Sequence, residues 1–315
     1  MTDDDTRTVL AALSYYVGGA LPATLIASAS AHGLSLGGWV YPASTASATN
    51  PGHPTTQLQS LGASLRERAA DAGMTMLIRG DAGWPAGTGC DELPCVWVGG
   101  GSDIAARLHH AVAVIGSAAS TAYGEYIAAE LGRDITAAGA TVVTAASVGI
   151  SARAVGGVLT QSCGMPVVIT PAGLDHRSSS GVSRLVDHAV RRGSVLSPFP
   201  PGRLPTRSRL RTSLRLIAAV SAATVVVEAF AASLPMEVAR GAASAGRVVC
   251  AVPGPVTSGV SAGCHQLIAD KTARLVTSAS EVMASIAAAR RTTVDVRGCA
   301  DEAAADTTGN DREHR

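Results

Sequence analysis

Aromatic residues make up only 3% of this 315-residue chain. A core of stacked rings is therefore excluded, and Ala, Val, Leu and Ile must fill it, which suits the tight helix-on-sheet packing of an α/β protein. Lysine is almost absent: Lys271 is the single one, and the remaining basic residues are arginines. A GC-rich coding genome produces the same bias, so the arginine count carries no functional weight alone, and a formal charge of +1 excludes a global polyelectrolyte role. Long uninterrupted apolar runs are missing too. Val9 to Ala31 carries no charge, yet Gly18, Gly19, Pro22 and several hydroxyl residues break it, which favours two short buried helices over a membrane span. The opening Met-Thr-Asp-Asp-Asp is acidic where a secretory leader would be basic. The cysteines at 90, 95, 163, 250, 264 and 299 lack the spacing of a disulfide scaffold or a zinc site. Reduced thiols and a cytoplasmic location are expected, with no metal and no membrane partner.

With 47% apolar and 16% charged residues, the chain suits one large globular domain with a small appendage. Residues 9 to 34 read as a helical hairpin, Pro42 to Pro54 as an uncharged loop, and Leu58 to Ala72 as a helix. Short β-branched runs then recur at Val112–Ile115, Thr141–Thr144, Pro166–Thr170, Val195–Ser197, Thr224–Val227 and Val248–Val252. Helical patterns separate most of them. Tyr123, Ile127, Leu131 and Ile135 form one apolar stripe, and Val182, Val186 and Val190 another. Ser278 with Glu281 reads as a capping box for the last helix. This alternation predicts an α/β fold with a doubly wound, mostly parallel sheet. The expected division is a helical module with its loop over 1–57, the sheet domain over 58–289, and a polar, acidic tail over 290–315.

The turn after the first of these runs is the most informative local feature. Val112-Ala-Val-Ile breaks at Gly116 into Ser117, Ser120 and Thr121 before a helical pattern. A glycine able to take positive φ, hydroxyls and free helix N–H groups favour an anion there. A dinucleotide enzyme would need Gly-x-Gly-x-x-Gly and an acid after the second strand. No glycine follows Gly116 until Gly124, and Thr144-Ala145-Ala146 stands where the acid would be. Gly259-Val-Ser261-Ala-Gly263 matches a nucleophile elbow, but no carboxylate-then-histidine order follows, so Ser261 is read as shaping a loop and capping a helix. Glu228 at a strand end is read as a structural carboxylate bonded to backbone N–H groups, and Asp175 as shaping its turn. Arg203, Arg207, Arg209, Arg211 and Arg215 fall within thirteen acid-free residues. They make a local anion-binding surface, read as a basic loop ahead of an apolar helix.

Several of these segments carry a family resemblance. Val-Ala-Val-Ile-Gly116-Ser117-x-x-Ser120-x-x-Tyr123-Gly124 looks like the opening signature of the DprA/Smf DNA-processing proteins. Leu93-Pro94 leading to Gly99-Gly100, Gly173-Leu174-Asp175, Ala251-Val-Pro-Gly-Pro-Val and Ser261-x-Gly263-x-His265-x-Leu267-Ile268 are similar to later family segments. Residues 9 to 34 resemble the small helix-hairpin-helix or SAM-like module that often precedes the core. Departures fall in the polar pocket. Ala118 replaces the usual Arg, and Val155 stands where His is usual. Gly149-Ile150 survives without the following Asp, and Arg215 is the retained member of an Arg-Asn-Arg trio. The resemblance implies a Rossmann-like fold and a protein that is not an enzyme and uses no cofactor. It would form a homodimer, bind single-stranded DNA and help load the RecA recombinase in transformation or recombination. Gly116, Ser117, Ser120, Gly149, Arg207, Arg209, Arg211 and Arg215 would contact DNA phosphates. With few aromatics, base stacking is expected to contribute little and binding to be mostly electrostatic. The rival reading is a Rossmann protein that has lost its DNA site and serves as a nucleotide sensor or a protein scaffold.

Overall fold

The computed structural model describes residues 3–17, 20–21, 41–42, 54–85, 90 and 93–291. A nine-stranded sheet dominates it. Taken in chain order, its strands are β3 (Thr75–Leu77), β4 (Val96–Gly100), β5 (Ala111–Ile115), β6 (Thr141–Ala145), β7 (Val167–Ile169), β8 (Ser194–Ser197), β9 (Ala223–Val226), β10 (Val248–Ala251) and β11 (Arg274–Leu275). Their spatial order is β11-β10-β9-β5-β6-β7-β8-β4-β3. All neighbours from β11 to β8 pair parallel, whereas β4 is antiparallel to β8 and β3 to β4. The chain winds outward from β5 to β8 and then crosses back to β9 on the other side of β5. This reversal opens a crevice at the C-terminal ends of β5 and β9, where ligands of such sheets bind.

Every residue of β5, β7, β8 and β9 is buried, as a strand covered by helices on both faces requires, and this is why the runs are apolar apart from Ser194, Ser197 and Thr224. Period-two alternation splits them between two cores. Ala113, Ile115, Val143 and Ile169 face one side, with Leu216 and Ile217 of α7 (Arg207–Val220) and Met236 and Val238 of α8 (Leu234–Ser244). Val112, Val114, Val142 and Val225 face the other, with Leu131 and Ile135 of α4 (Ala122–Ala137), Ile150 and Val158 of α5 (Ile150–Leu159), and Val282 and Ile286 of the helix over 279–291.

Helix α1 (Asp3–Ser14) starts earlier than the apolar pattern suggests, because Asp3, Asp4 and Asp5 form its first turn, where carboxylates complement the helix dipole. Its Val9, Ala12 and Leu13 enter the first core together with Leu58 of α2 (Pro54–Asp71) and Ile104 and Leu108 of α3 (Ile104–His109). Ion pairs tie both helices down: Arg7 with Asp81, and Arg66 with Asp4 at 2.6 Å. Residues 20–21 and 41–42 form β1 and β2, a short parallel pair. The expected second helix of the hairpin, the uncharged loop over 43–53 and the tail beyond 291 lie outside the described residues.

Three further details depart from the periodicity. Tyr123 does not join the stripe of α4; it is 41% exposed, while Leu131 and Ile135 are buried. On α6 (Ser180–Arg192) the fully buried positions are Leu185 and Ala189, and Val190 is exposed. The buried face is centred one position away from the valines because Leu185 and Ala189 face the strand directly. At the last helix Ser278 Oγ accepts from the Glu281 N–H at 3.4 Å, but the Glu281 carboxylate reaches back to the N–H of Thr277, at 2.6 Å, rather than to that of Ser278. Among the described residues no helix is long and apolar enough to cross a membrane.

Candidate functional site

The turn after β5 folds onto the end of β9. The Ser117 N–H donates to the Glu228 carbonyl at 2.7 Å, and the Ser117 carbonyl accepts from the Ile150 N–H at 3.2 Å. Gly116 does not adopt positive φ; its lack of a side chain matters because a Cβ would sit 2.7 Å from Ile150 Cγ1 and 2.9 Å from the Glu228 carbonyl oxygen. Gly149 does adopt positive φ, 70°, and a Cβ there would lie 2.5 Å from the Ser117 carbonyl oxygen. Gly116, Ser117 and Gly149 are thus brought together, with Ser120 on the same turn.

Most polar groups of this turn already have internal partners. The Ser117 hydroxyl accepts from the Ala119 N–H at 3.1 Å. The Ser120 hydroxyl donates to Glu125 at 3.0 Å, and Arg153 Nε donates to the same carboxylate at 2.8 Å. The anion at the start of α4 is the chain's own. Glu228, 1% exposed, accepts from the Thr121 N–H at 3.0 Å and from the Thr121 hydroxyl at 2.5 Å. Thr121 in turn caps α4 by accepting from the Gly124 N–H at 3.1 Å. The structural reading of Glu228 therefore holds, with Thr121 as its partner. Gly124 is required by this arrangement, since a Cβ would fall 2.3 Å from the Glu228 carboxyl carbon; sequence reasoning missed that contact.

The arginines form a second group, and they lie on a helix rather than a loop. Arg207, Arg209, Arg211 and Arg215 all belong to α7, which Thr206 caps by accepting from the Arg209 N–H at 3.2 Å. Ser213 donates to the Thr170 carbonyl at 3.0 Å. That bond sets the midpoint of α7 over the end of β7, at the same strand-end edge as Gly116 but on the opposite face of the sheet from α4. Arg209 Nη1 donates to the Leu204 carbonyl at 2.5 Å, and its guanidinium lies 5.9 Å from the Phe199 ring centroid. Arg203 stacks on Tyr15 at 3.8 Å, and its buried Nε has no hydrogen-bond partner among the described residues. Burial, and then the like charge of Arg203, lower the pKa of Arg209. Arg211 pairs with Glu237 of α8 at 3.0 Å. Together with Arg215 and Arg247 it rims a groove of about 450 Å³ between α7 and α8, floored by Leu214, Ala218 and Val238.

The remaining candidates resolve as structural. Ser261 is buried with no partner for its hydroxyl among the described residues, and it occupies the cap position of α9 (Ala262–Ala269) without capping it. His265 Nε2 lies 2.9 Å from the Gly254 carbonyl. No Ser–His pair forms. Asp175 does not close its own turn; it accepts from the Gly202 N–H at 2.8 Å and from Arg68 at 2.7 Å, fastening the segment ahead of α7. Among the described residues no group of His, Cys, Asp and Glu could hold a metal ion.

Residues 75–287, more than half of the chain, match the family model of DNA recombination-mediator protein A, DprA. The chain belongs to that family. It is 37% identical over 237 residues to a DNA processing protein DprA of Mycobacterium tuberculosis, a match covering 69% of this chain and 60% of that protein. The chain thus spans about 60% of the length of that curated DprA. A second relative, DprA of Streptococcus pneumoniae, is 34% identical over 124 residues, which are 39% of this chain and 44% of that one. The crystal structure of the pneumococcal DprA shares the fold at a TM-score of 0.61 and 24% identity, covering 74% of this chain and 83% of that chain. DprA of Helicobacter pylori, whose structure was described for its single-stranded DNA binding mode, does so at a TM-score of 0.59 and 18% identity, covering 68% and 95%. At these identities the structural likeness is one of fold. The expected Rossmann-like DprA architecture is what the chain has.

Proposed function

We propose that this DprA-family chain binds single-stranded DNA along the strand-end edge of its sheet, with the start of α7 as the principal phosphate site. One observation carries the reading. Arg203 and Arg209 are half-buried against each other at an acid-free helix start, and neither they nor Arg207 form a salt bridge among the described residues. Cations at a helix N-terminus oppose the dipole by about 0.3–1 kcal/mol each, so this arrangement is stabilised by an added anion. Phosphates of a flexible strand supply such anions at short, regular intervals. Gly116, Ser117, Ser120 and Gly149 take a secondary part, because Glu228 already provides the negative charge at α4 and Ala118 offers no cation. The same carboxylate disfavours a nucleotide phosphate at that turn, which weighs against the sensor reading. Family membership supports a role as a non-enzymatic recombination mediator, with RecA as the recipient of the bound strand and a homodimer as the working form.

The test is fluorescence anisotropy of a labelled single-stranded oligonucleotide, with duplex competitor. Changing Arg207, Arg209, Arg211 and Arg215 together to Ala is expected to weaken binding by about tenfold or more. Changing Arg66 of α2, which pairs with Asp4 of α1, should have little effect. Equal losses from the two variants would overturn the site, and absence of wild-type binding at low salt would overturn the function.

A further inference from the structure

The few aromatic rings of this chain are distributed unevenly. Trp84, Trp97 and Phe199 are buried, whereas Tyr123 is 41% exposed, Tyr126 63% and Phe230 48%. These exposed rings follow β5 and β9, the two strands that flank the crevice. The Phe230 ring lies over Gly259, with Cε1 3.6 Å from where a Cβ would stand. The Tyr123 hydroxyl donates to the Pro253 carbonyl at 2.8 Å, which fixes its ring at the other end of the same loop. Tyr126 stands one helical turn beyond Tyr123, and Val256 at the loop tip is 89% exposed.

We propose that Phe230, Tyr123 and Tyr126 are stacking platforms for unpaired nucleobases of the strand whose phosphates the start of α7 holds. The proposal rests on the single-strand reading above. It replaces the expectation, drawn from composition, that stacking contributes little; composition counts rings but does not say where they are shown. Continuity between the two groups is direct. Ser233, at the cap of α8, donates to the Phe230 carbonyl at 2.6 Å, and Glu237 in the first turn of α8 pairs with Arg211 of α7. Phe230 thus precedes the helix whose first turn carries the partner of Arg211, on the same side of β9 as the arginine helix. The residues set against the rings are glycines, Gly254 beside Tyr123 and Gly259 beside Phe230, and the exposed Val256 stands alone at the loop tip between them. Separate flat rings among such residues suit bases, which stack on any aromatic face irrespective of sequence, better than a partner protein, which needs a continuous apolar patch.

Binding of an oligo-dT and of an abasic oligonucleotide of the same length distinguishes base contacts from phosphate contacts. For Phe230→Ala, affinity for oligo-dT is expected to fall by about tenfold, with affinity for the abasic strand and the salt slope unchanged. Tyr126→Ala should behave alike, and Tyr123→Phe should retain binding because the ring remains. If Phe230→Ala fails to fold, Phe230→Leu preserves the apolar volume without a π face and is expected to show the same selective loss. Wild-type binding to oligo-dT that Phe230 and Tyr126 variants leave intact, or equal losses on both strands, would overturn the platform while sparing the arginine site. A wild type that binds neither strand would overturn both. A change in oligomeric state alone, without change in dT binding, would reassign the rings to a protein contact and overturn the proposal.

Discussion

Glu228 at the end of β9 and Thr121 at the head of α4 are joined twice, through the threonine N–H at 3.0 Å and its hydroxyl at 2.5 Å. This pair locks the two strand ends that border the crevice and gives α4 an internal counter-charge. It also explains a glycine that the family motif contains but does not account for, since Gly124 leaves the space the carboxylate fills.

Coupling between these residues is therefore expected. Gly124→Ala should destabilise the fold by about 1–3 kcal/mol through overpacking, and Glu228→Ala by a similar amount through lost charge-assisted hydrogen bonds. Urea denaturation of the double variant should show less than the sum, because removing the carboxylate makes room for the methyl group. Additive losses would mean that the two residues act separately.

The arginine site makes a prediction about salt. On single strands the log–log slope of affinity against salt changes by about 0.7 for each phosphate neutralised. Arg207→Ala and Arg209→Ala should each flatten the slope by roughly this amount, measured by anisotropy across a salt series. A slope unchanged by either variant would place the phosphates elsewhere.

Acid should loosen α1. Burial opposes ionisation of Asp81, but hydrogen bonds from Arg7 and from the Ile78 N–H outweigh it and hold the carboxyl below its usual 3.8. A depressed folded-state pKa contributes stability that is present above the unfolded value and is lost as pH falls through the folded one. The stability difference between wild type and Asp81→Asn should thus be constant at neutral pH and shrink below about pH 4. A difference that keeps its full neutral-pH size down to pH 2 would remove the ion pair from the account.

Thiol accessibility tests the packing. Cys163 is exposed, while Cys90, Cys95, Cys250 and Cys264 are buried. Burial pushes Cys95 and Cys264 up to about 12 and Cys250 to about 11, so they are neither accessible nor ionised at neutral pH. Iodoacetamide followed by peptide mapping should modify Cys163 in the native protein and those three only after denaturation. Native labelling of Cys95 would indicate that α1 does not seal the sheet edge.

Six of the nine strands of the sheet, β5 to β10, were legible as runs in the sequence, whereas the edge strands β3, β4 and β11 were not among them. Its central strands, Val112–Ile115 and Thr224–Val227 among them, needed only to be short, β-branched and spaced by helical patterns, because a parallel strand buried on both faces admits little else. Glu228 was also readable as structural, because an isolated acid at a strand end lacks the partners that chemistry requires. Other features depended on contacts between residues far apart in the chain. The arginines read as a loop because their charge masks the helical pattern, and only Thr206, Ser213 and the core beneath Leu216 settle them on α7. Tyr123 had the spacing of a buried stripe, yet it turns to Pro253, 130 residues away. Local sequence thus determined which segments became strands and helices and the family to which the chain belongs, since periodicity and motif act over a few residues. The tertiary structure alone decided that Glu228 fills the anion position at α4, that the arginines lie on the opposite face from the glycine turn, and which rings face solvent. Each of these depends on how the crossover from β8 to β9 brings distant segments to one edge.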